Sequence, residues 1–211
     1  MKTLIILASA CLAVAPSFAA SISDAAGDFL PTYTGPQNGD LDVLESDVRY
    51  DGVNFVFDFT VNAPLGTTPG AVYVWGINRG SATGQFFPGV IDDVAFDWAL
   101  AVSPGAFAIT ADLTSPAPPA PLPDGSVAII GSRMIVSVAA SLLPSTGFAP
   151  SDYLVSFWPR STLTEISNVS EISDFAPQTG MAPVSSVPEP GTAALVLAAA
   201  GLGWWRMRRE R

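Results

Sequence analysis

The segment Asn54–Val61, with the sequence NFVFDFTV, alternates between hydrophobic and polar residues. A period of two is that of a β-strand with one buried face, because successive side chains point to opposite sides. An Asp51-Gly52 turn signal precedes it and separates it from the strand-like Val43–Tyr50. The pattern predicts an antiparallel hairpin whose core face carries Phe55, Phe57, Phe59 and Val61.

Short apolar segments of the same character recur along the chain, separated by Gly and Pro turn signals. No long amphipathic helix and no internal repeat interrupts them. The sequence therefore predicts an all-β fold, an antiparallel β-sandwich of about 8–10 strands. The further predicted strands are residues 71–78, 94–102, 106–113, 127–130, 133–138 and 153–158, with a proline-rich loop at 116–123 and one additional strand near 164–166.

The N-terminal end carries Lys2 and then an apolar stretch that ends in small residues. This order is typical of a secretory signal peptide, which we expect to cover residues 1–19, with cleavage after Ala19 or else after Ala20. The chain's single cysteine, Cys11, lies within this segment, and there is no histidine. After cleavage the chain would have no disulfide, no thiol nucleophile and no histidine general base.

Acidic residues dominate the charge, which is −10 for the whole chain. Between residues 20 and 186 the only basic residues are arginines. This balance argues against nucleic-acid binding, which requires cations to neutralise phosphates. Carboxylates could still serve an enzyme, and the densest group near a predicted strand is Asp92, Asp93 and Asp97. The sequence supplies no partner for them at a defined separation, so we expect the protein not to be an enzyme.

Asp and Gly residues are dense between positions 23 and 43. One interpretation is an entry turn before the first long strand, because these residues favour loops. The other is a calcium site, since Ca²⁺ takes six to eight oxygen ligands and prefers carboxylates. The spacing does not match a twelve-residue calcium loop, and both interpretations stay open. The candidate ligands are Asp24, Asp28, Asp40 and Asp42.

The C-terminal end joins three features without a spacer. These are the sequence VPEPG from Val187, an uncharged apolar stretch over 192–205, and an arginine cluster. The apolar stretch predicts a short transmembrane helix whose tryptophans lie at the headgroups and whose arginines stay in the cytoplasm. The alternative is a buried C-terminal helix of a soluble domain. The residues concerned are Val187, Pro188, Glu189 and Pro190 in the motif, and Trp204, Trp205, Arg206, Arg208, Arg209 and Arg211 in the tail.

This C-terminal order resembles the PEP-CTERM sorting signal, also known as the ice-binding protein C-terminal motif. The resemblance implies recognition by exosortase, a membrane-embedded cysteine transpeptidase of Gram-negative bacteria that make exopolysaccharide. It further implies transient anchoring in the inner membrane, followed by processing at the motif over Val187, Pro188, Glu189 and Pro190.

A second resemblance concerns the middle of the chain. The acidic opening at 24–28, the segment 40–43, the Asp-Gly hairpin, the loop at 83–84 and the hairpin at 122–125 are similar to extracellular sandwiches of the DOMON or family 9 carbohydrate-binding-module type. Such domains bind sugars, haem or calcium, or serve as spacers. The sequence lacks the histidine for haem ligation and an obvious exposed tryptophan pair for sugars.

We therefore expect a β-sandwich domain over 20–180, a linker over 181–186 and a sorting signal over 187–211. The expected function is that of a secreted, non-enzymatic protein of the cell surface or of the exopolysaccharide or biofilm matrix, with exosortase as a transient partner. The alternative is an extracellular module that binds carbohydrate, such as exopolysaccharide, or calcium. No cofactor other than calcium is expected.

Overall fold

Twelve strands form two sheets in the residues that the computed structural model describes, which are 21–83, 86, 93–165 and 168–186. The fold of this part is a β-sandwich, and every strand pair but one is antiparallel. The all-β prediction is thereby confirmed, but the strands number twelve rather than about 8–10, because four of them are only two residues long and carry no alternating pattern. The predicted signal peptide and the predicted sorting signal lie outside the described residues.

The first sheet is built around the predicted hairpin. Its strands are β1 (Ile22–Ser23), β2 (Val43–Tyr50), β3 (Asn54–Val61), β8 (Val127–Ile130), β9 (Arg133–Ala139) and β12 (Ser185–Ser186). They lie in the order β1-β2-β3-β9-β8, and β12 pairs with β2 in parallel. In the hairpin, Tyr50 pairs with Phe55 and Val48 with Phe57. Gly52 lies in the turn at φ 94°, a conformation that favours glycine.

The second sheet has the order β11-β10-β4-β5-β6-β7. Its strands are β4 (Val72–Asn78), β5 (Trp98–Ser103), β6 (Phe107–Asp112), β7 (Ala120–Pro121), β10 (Leu154–Arg160) and β11 (Ala182–Pro183). The helical elements of the described residues are short 3-10 turns at Gly39–Leu41, Ala140–Leu142, Pro150–Asp152 and Val169–Glu171.

The main core lies between the two sheets and is rich in aromatic rings. The predicted buried face of β3 supplies Phe57 and Phe59, each at most 1% exposed. The ring of Phe59 lies 4.5 Å from that of Phe157 on β10, and Phe57 meets Trp75 of β4 edge-on at 5.5 Å. Such edge-on and tilted pairs add to the stabilisation that comes from apolar burial.

A second apolar cluster covers the opposite face of the second sheet. Loop residue Phe96 packs there against Trp158, with ring centres 5.3 Å apart. A Cβ at position 76 would lie 2.7 Å from the Phe96 ring, so Gly76 is what allows the loop to approach β4 closely. Strand β4 is consequently buried on both faces.

Some element boundaries differ from the prediction. Strand β5 begins at Trp98 rather than at residue 94, because residues 94–97 form the loop that covers the second sheet. Thr164 and Glu165 belong to no strand. The segment 181–186, expected to be a linker, contains β11 and β12 and joins the two sheets. Its residues find backbone partners on β10 and β2, which local sequence does not disclose.

Candidate metal centre

Three carboxylates from distant parts of the chain converge at one end of the first sheet. Asp24 and Asp28 lie in the loop after β1, and Asp174 lies between the last 3-10 turn and β11. One carboxylate oxygen of each aspartate lies within 4.8 Å of a carboxylate oxygen of each of the other two. Asp174 is 1% exposed, whereas Asp24 and Asp28 are only partly buried. The cluster is therefore closed on the protein side and open to solvent on the other.

Backbone hydrogen bonds explain why these segments meet. The N–H of Leu30 donates to the carbonyl of Ser173 at 2.8 Å, and that of Thr34 donates to Ser170 at 3.0 Å. The N–H of Asp24 donates to Leu44 at 3.0 Å, which fixes the start of the loop against β2. The acidic loop therefore lies between β2 and the segment that carries Asp174.

Two oxygens of the cluster have no hydrogen-bond donor although they are buried. They are Oδ2 of Asp24 and Oδ1 of Asp28. The Asp174 carboxylate is satisfied, since it accepts from the N–H groups of Val43 and Phe175, each at 2.8 Å. Buried polar atoms normally have a partner, so these two oxygens are where a cation or a hydrogen-bond donor would bind.

The electrostatics of the cluster agree with this geometry. Burial raises the pKa of Asp174 to about 8, and the negative charges of Asp24 and Asp28 raise it further. The two backbone hydrogen bonds lower the pKa but do not cancel these effects. Burial, and then the charge of Asp28, raise the pKa of Asp24 to about 6. At neutral pH, Asp174 would therefore hold a proton unless a cation balances the negative charge.

The other two predicted ligands have different roles. The Asp42 carboxylate accepts from the N–H of Gly27 at 2.9 and 3.0 Å and from Nδ2 of Asn62 at 2.9 Å, so it holds the acidic loop in place. Asp40 is buried elsewhere and accepts from the N–H and Oγ1 of Thr68 at 2.6 and 2.7 Å. The structure thus brings Asp24 and Asp28 together but places Asp40 and Asp42 in supporting hydrogen bonds.

Sequence reasoning missed Asp174, because no spacing rule connects it to a loop near the N-terminal end. The one local signal is its position before Phe175 in a hydrophobic context, where a carboxylate needs a partner if it is buried. Gln178 also borders the cluster, and its Nε2 donates to Oδ2 of Asp28. The two ends of an amide are interchangeable by rotation, so the Gln178 oxygen could face a cation instead.

An all-oxygen donor set of this kind fits a hard cation. Ca²⁺ accepts carboxylates, amide and backbone carbonyls and water in flexible geometry, whereas Mg²⁺ demands a near-octahedral shell and retains water. Three carboxylates that also leave a solvent-facing side match the requirements of Ca²⁺ better than those of a transition metal, which favours nitrogen or sulfur.

The carboxylates considered for catalysis do not form a second cluster in the described residues. Asp92 lies outside them, and Asp93 is exposed with φ 60°. Asp97 is 3% exposed, and burial alone would raise its pKa. Hydrogen bonds from Thr146, Arg79 and Ser81 outweigh burial and lower the pKa below its usual range. Asp97 is therefore a structural anion and is unsuited to act as a general acid near neutral pH.

The predicted sorting and leader residues cannot be placed in this geometry. Ala19, Ala20, the motif Val187–Pro190 and the tail from Trp204 to Arg211 lie outside the described residues. No helix among the described residues is long and apolar enough to span a membrane. Ser186 of β12 pairs with Tyr50, so the motif follows directly on the folded domain.

Comparisons with protein-family models, with curated proteins and with solved structures give no match.

Proposed function

We propose that this chain is a secreted, non-enzymatic protein of the cell surface or extracellular matrix, sorted and processed through its C-terminal end. One observation carries the proposal: a Pro-Glu-Pro motif, an uncharged apolar stretch and an arginine cluster follow one another directly after the sandwich. Exosortase is the transient partner that this order implies, and the inner membrane is the place of processing.

The arginines of the sandwich have structural roles. Each arginine between residues 21 and 186 pairs with at least one carboxylate, with N–O distances of 2.5–3.2 Å. Arg79 and Arg160 are completely buried. These cations are thus engaged in holding the fold together.

Processing is tested by the intact mass of the protein recovered outside the cell. We expect loss of everything beyond the region 187–190, and a secreted product that still carries Arg206–Arg211 would contradict the proposal. Glu189→Ala should prevent processing while leaving the sandwich folded, because Glu189 lies outside it. Glu45→Ala is the matched control, since Glu45 is an exposed carboxylate on β2 and should leave processing unchanged.

A second candidate function is calcium binding at Asp24, Asp28 and Asp174, here called the acidic cluster. The two buried, unsatisfied carboxylate oxygens favour it. In this role the ion would join the acidic loop to the segment that precedes β11, and so stabilise the secreted domain outside the cell. Sugar binding has less support, because Trp75, Trp98 and Trp158 are all buried and offer no stacking face.

Calcium binding is tested by thermal unfolding with excess EDTA and with added CaCl₂. A ligand that binds only the folded state must raise the melting temperature. We expect a higher melting temperature in calcium, and an effect that Asp174→Asn removes. Asp124→Asn, which changes an exposed turn carboxylate, should keep the effect. Equal melting temperatures in EDTA and calcium would exclude the ion while leaving the sorting proposal intact.

A further inference from the structure

Residues 182–186, here called the strap, cross from one sheet to the other at the end of the sandwich. The first part of the strap is β11, which pairs with Leu154 and Val155 of β10. The last part is β12, which pairs with Arg49 and Tyr50 of β2. The processing motif proposed above begins at the next residue of the sequence.

Few contacts hold the strap closed. Val184 is 6% exposed in the main core, and its N–H donates to the carbonyl of Tyr153 at 2.8 Å. Oγ of Ser185 donates to Oδ1 of Asp47 at 3.1 Å. Both strands of the strap have two residues, Pro183 has no N–H to donate, and parallel pairing such as that of β12 is the less stable kind. Local opening of such a segment requires little free energy.

The strap leaves little free chain for a processing enzyme. Only residues 187–191 lie between the strap and the apolar stretch that begins at Thr192, and they span at most about 17 Å when extended. Extended peptides are recognised through main-chain hydrogen bonds and through pockets for successive side chains. An enzyme that cleaves within 187–190 therefore needs residues before the motif as well. Those residues are Ser185 and Ser186, which are paired with β2.

We propose that the strap is a latch, which must leave β2 and the core before the motif can be processed. This inference rests on the proposed sorting function. While the strap is closed, the sandwich blocks the N-terminal side of the motif. When the strap opens, the chain from Val184 onwards can enter the enzyme as an extended segment. The processing rate then follows the fraction of molecules with an open strap, as in proteolysis when opening and closing are faster than cleavage.

A disulfide across the strap tests the latch in the full-length chain. In a Cys11→Ser background, Arg49→Cys and Ser185→Cys place two thiols on paired residues of adjacent strands. Such strands lie about 4.8 Å apart, within the range that a disulfide bridges. Intact masses after pulse labelling of the producing cells give the processing rate. We expect the oxidised double variant to be processed at least about tenfold more slowly than either single variant, which should be no slower than the wild type.

A flexible spacer separates blocked access from damage to the domain. Inserting Gly-Ser-Gly-Ser-Gly-Ser between Ser186 and Val187 should restore processing of the disulfide-locked variant, because free chain then precedes the motif. The same insertion between Asp124 and Gly125, in an exposed turn, is the matched control and should leave the locked variant slow. A locked variant that the spacer before the motif does not rescue would contradict the latch.

Weakening the strap should have the opposite effect. Val184→Ala should raise the processing rate at least about threefold, because it removes part of the apolar anchor. Val138→Ala, also buried in the main core but on β9, should leave the rate unchanged, and an equal increase there would overturn the latch. Equal rates for the locked and wild-type chains would overturn the latch but leave the sorting proposal intact. A wild-type chain that is never processed would overturn both.

Discussion

Arg79 and Asp97 form an ion pair that is enclosed by the protein, with Nε and Oδ1 2.9 Å apart and the side chains 0% and 3% exposed. Arg79 also contacts Oδ1 of Asp112 at 2.8 Å, and Asp97 accepts from Oγ1 of Thr146 at 2.7 Å. The pair therefore ties the end of β4 to three other segments. Removing two charges from water is costly, and only this dense set of hydrogen bonds compensates for it.

Arg79→Ala should lower the free energy of unfolding by about 3–5 kcal/mol, because it leaves Asp97 buried without its counter-charge. Urea unfolding followed by tryptophan fluorescence measures this, since the three tryptophans of the sandwich are buried. Arg133→Ala is the control, because Arg133 pairs with Asp58 but its side chain is 48% exposed. We expect the control to cost about 0–1 kcal/mol. Equal losses of unfolding free energy in the two variants would contradict the conclusion that Arg79 and Asp97 form an enclosed ion pair.

Gly80→Ala should destabilise the fold by about 3 kcal/mol or more, from backbone strain and a clash together. Gly80 has φ 120°, and an added Cβ would lie 2.5 Å from the backbone nitrogen of Phe148. Gly131→Ala, at φ 62° with nothing within 4 Å of the added Cβ, isolates the strain alone. We expect about 1–2 kcal/mol there. A cost at Gly80 no larger than at Gly131 would refute the close approach.

Phe57→Ala should cost about 3–5 kcal/mol, because it leaves a cavity between the sheets beside Trp75. The midpoint of urea unfolding should fall without a large change in slope if the fold persists. Val53→Ala, at an exposed position, should change stability by no more than about 0.5 kcal/mol. Similar midpoints for the two variants would show that Phe57 is not in the core.

In EDTA, the free energy of unfolding should fall as the pH rises from about 4 towards about 8. The pKa values of Asp24 and Asp174 are raised in the folded state, to about 6 and about 8, so the unfolded chain loses protons first. Between the unfolded and folded pKa values the folded state binds more protons, and stability therefore decreases with pH.

Asp174→Asn should weaken this pH dependence, because the asparagine amide does not titrate. In the unmodified chain, calcium should reduce the loss of stability at pH 8. Melting temperatures at pH 5 and pH 8, with EDTA and with calcium, provide the measurement. A melting temperature in EDTA that rises between pH 5 and pH 8 would contradict the raised pKa values.

The parts of the fold that the sequence predicts are those that local pattern decides. The alternation in Asn54–Val61 and the Asp51-Gly52 turn predict β2 and β3, and the short apolar segments 127–130 and 133–138 predict β8 and β9, all of which the structure confirms. Residues 94–96 look strand-like because they are apolar, but Val94 and Phe96 are buried in a loop over a second face. Composition alone cannot separate these two ways of burying apolar residues.

Only the part of the candidate site that lies in a single loop could be predicted from the sequence. Asp24 and Asp28 share one loop, so their density in the sequence points to them. Asp174 joins them through backbone bonds such as that from Leu30 to Ser173, which depend on the arrangement of both sheets. Asp40 has the same density signal but pairs with Thr68 instead. Local composition therefore identifies the loop but not the complete set of ligands.

The short strands β11 and β12 have a mechanical consequence. Each joins a different sheet, β11 through Leu154 and Val155 and β12 through Arg49 and Tyr50. A force applied to the C-terminal end is therefore transmitted first to β12 and β2, and then through β11 to β10. A sandwich held by that end would distribute shear over both of its layers.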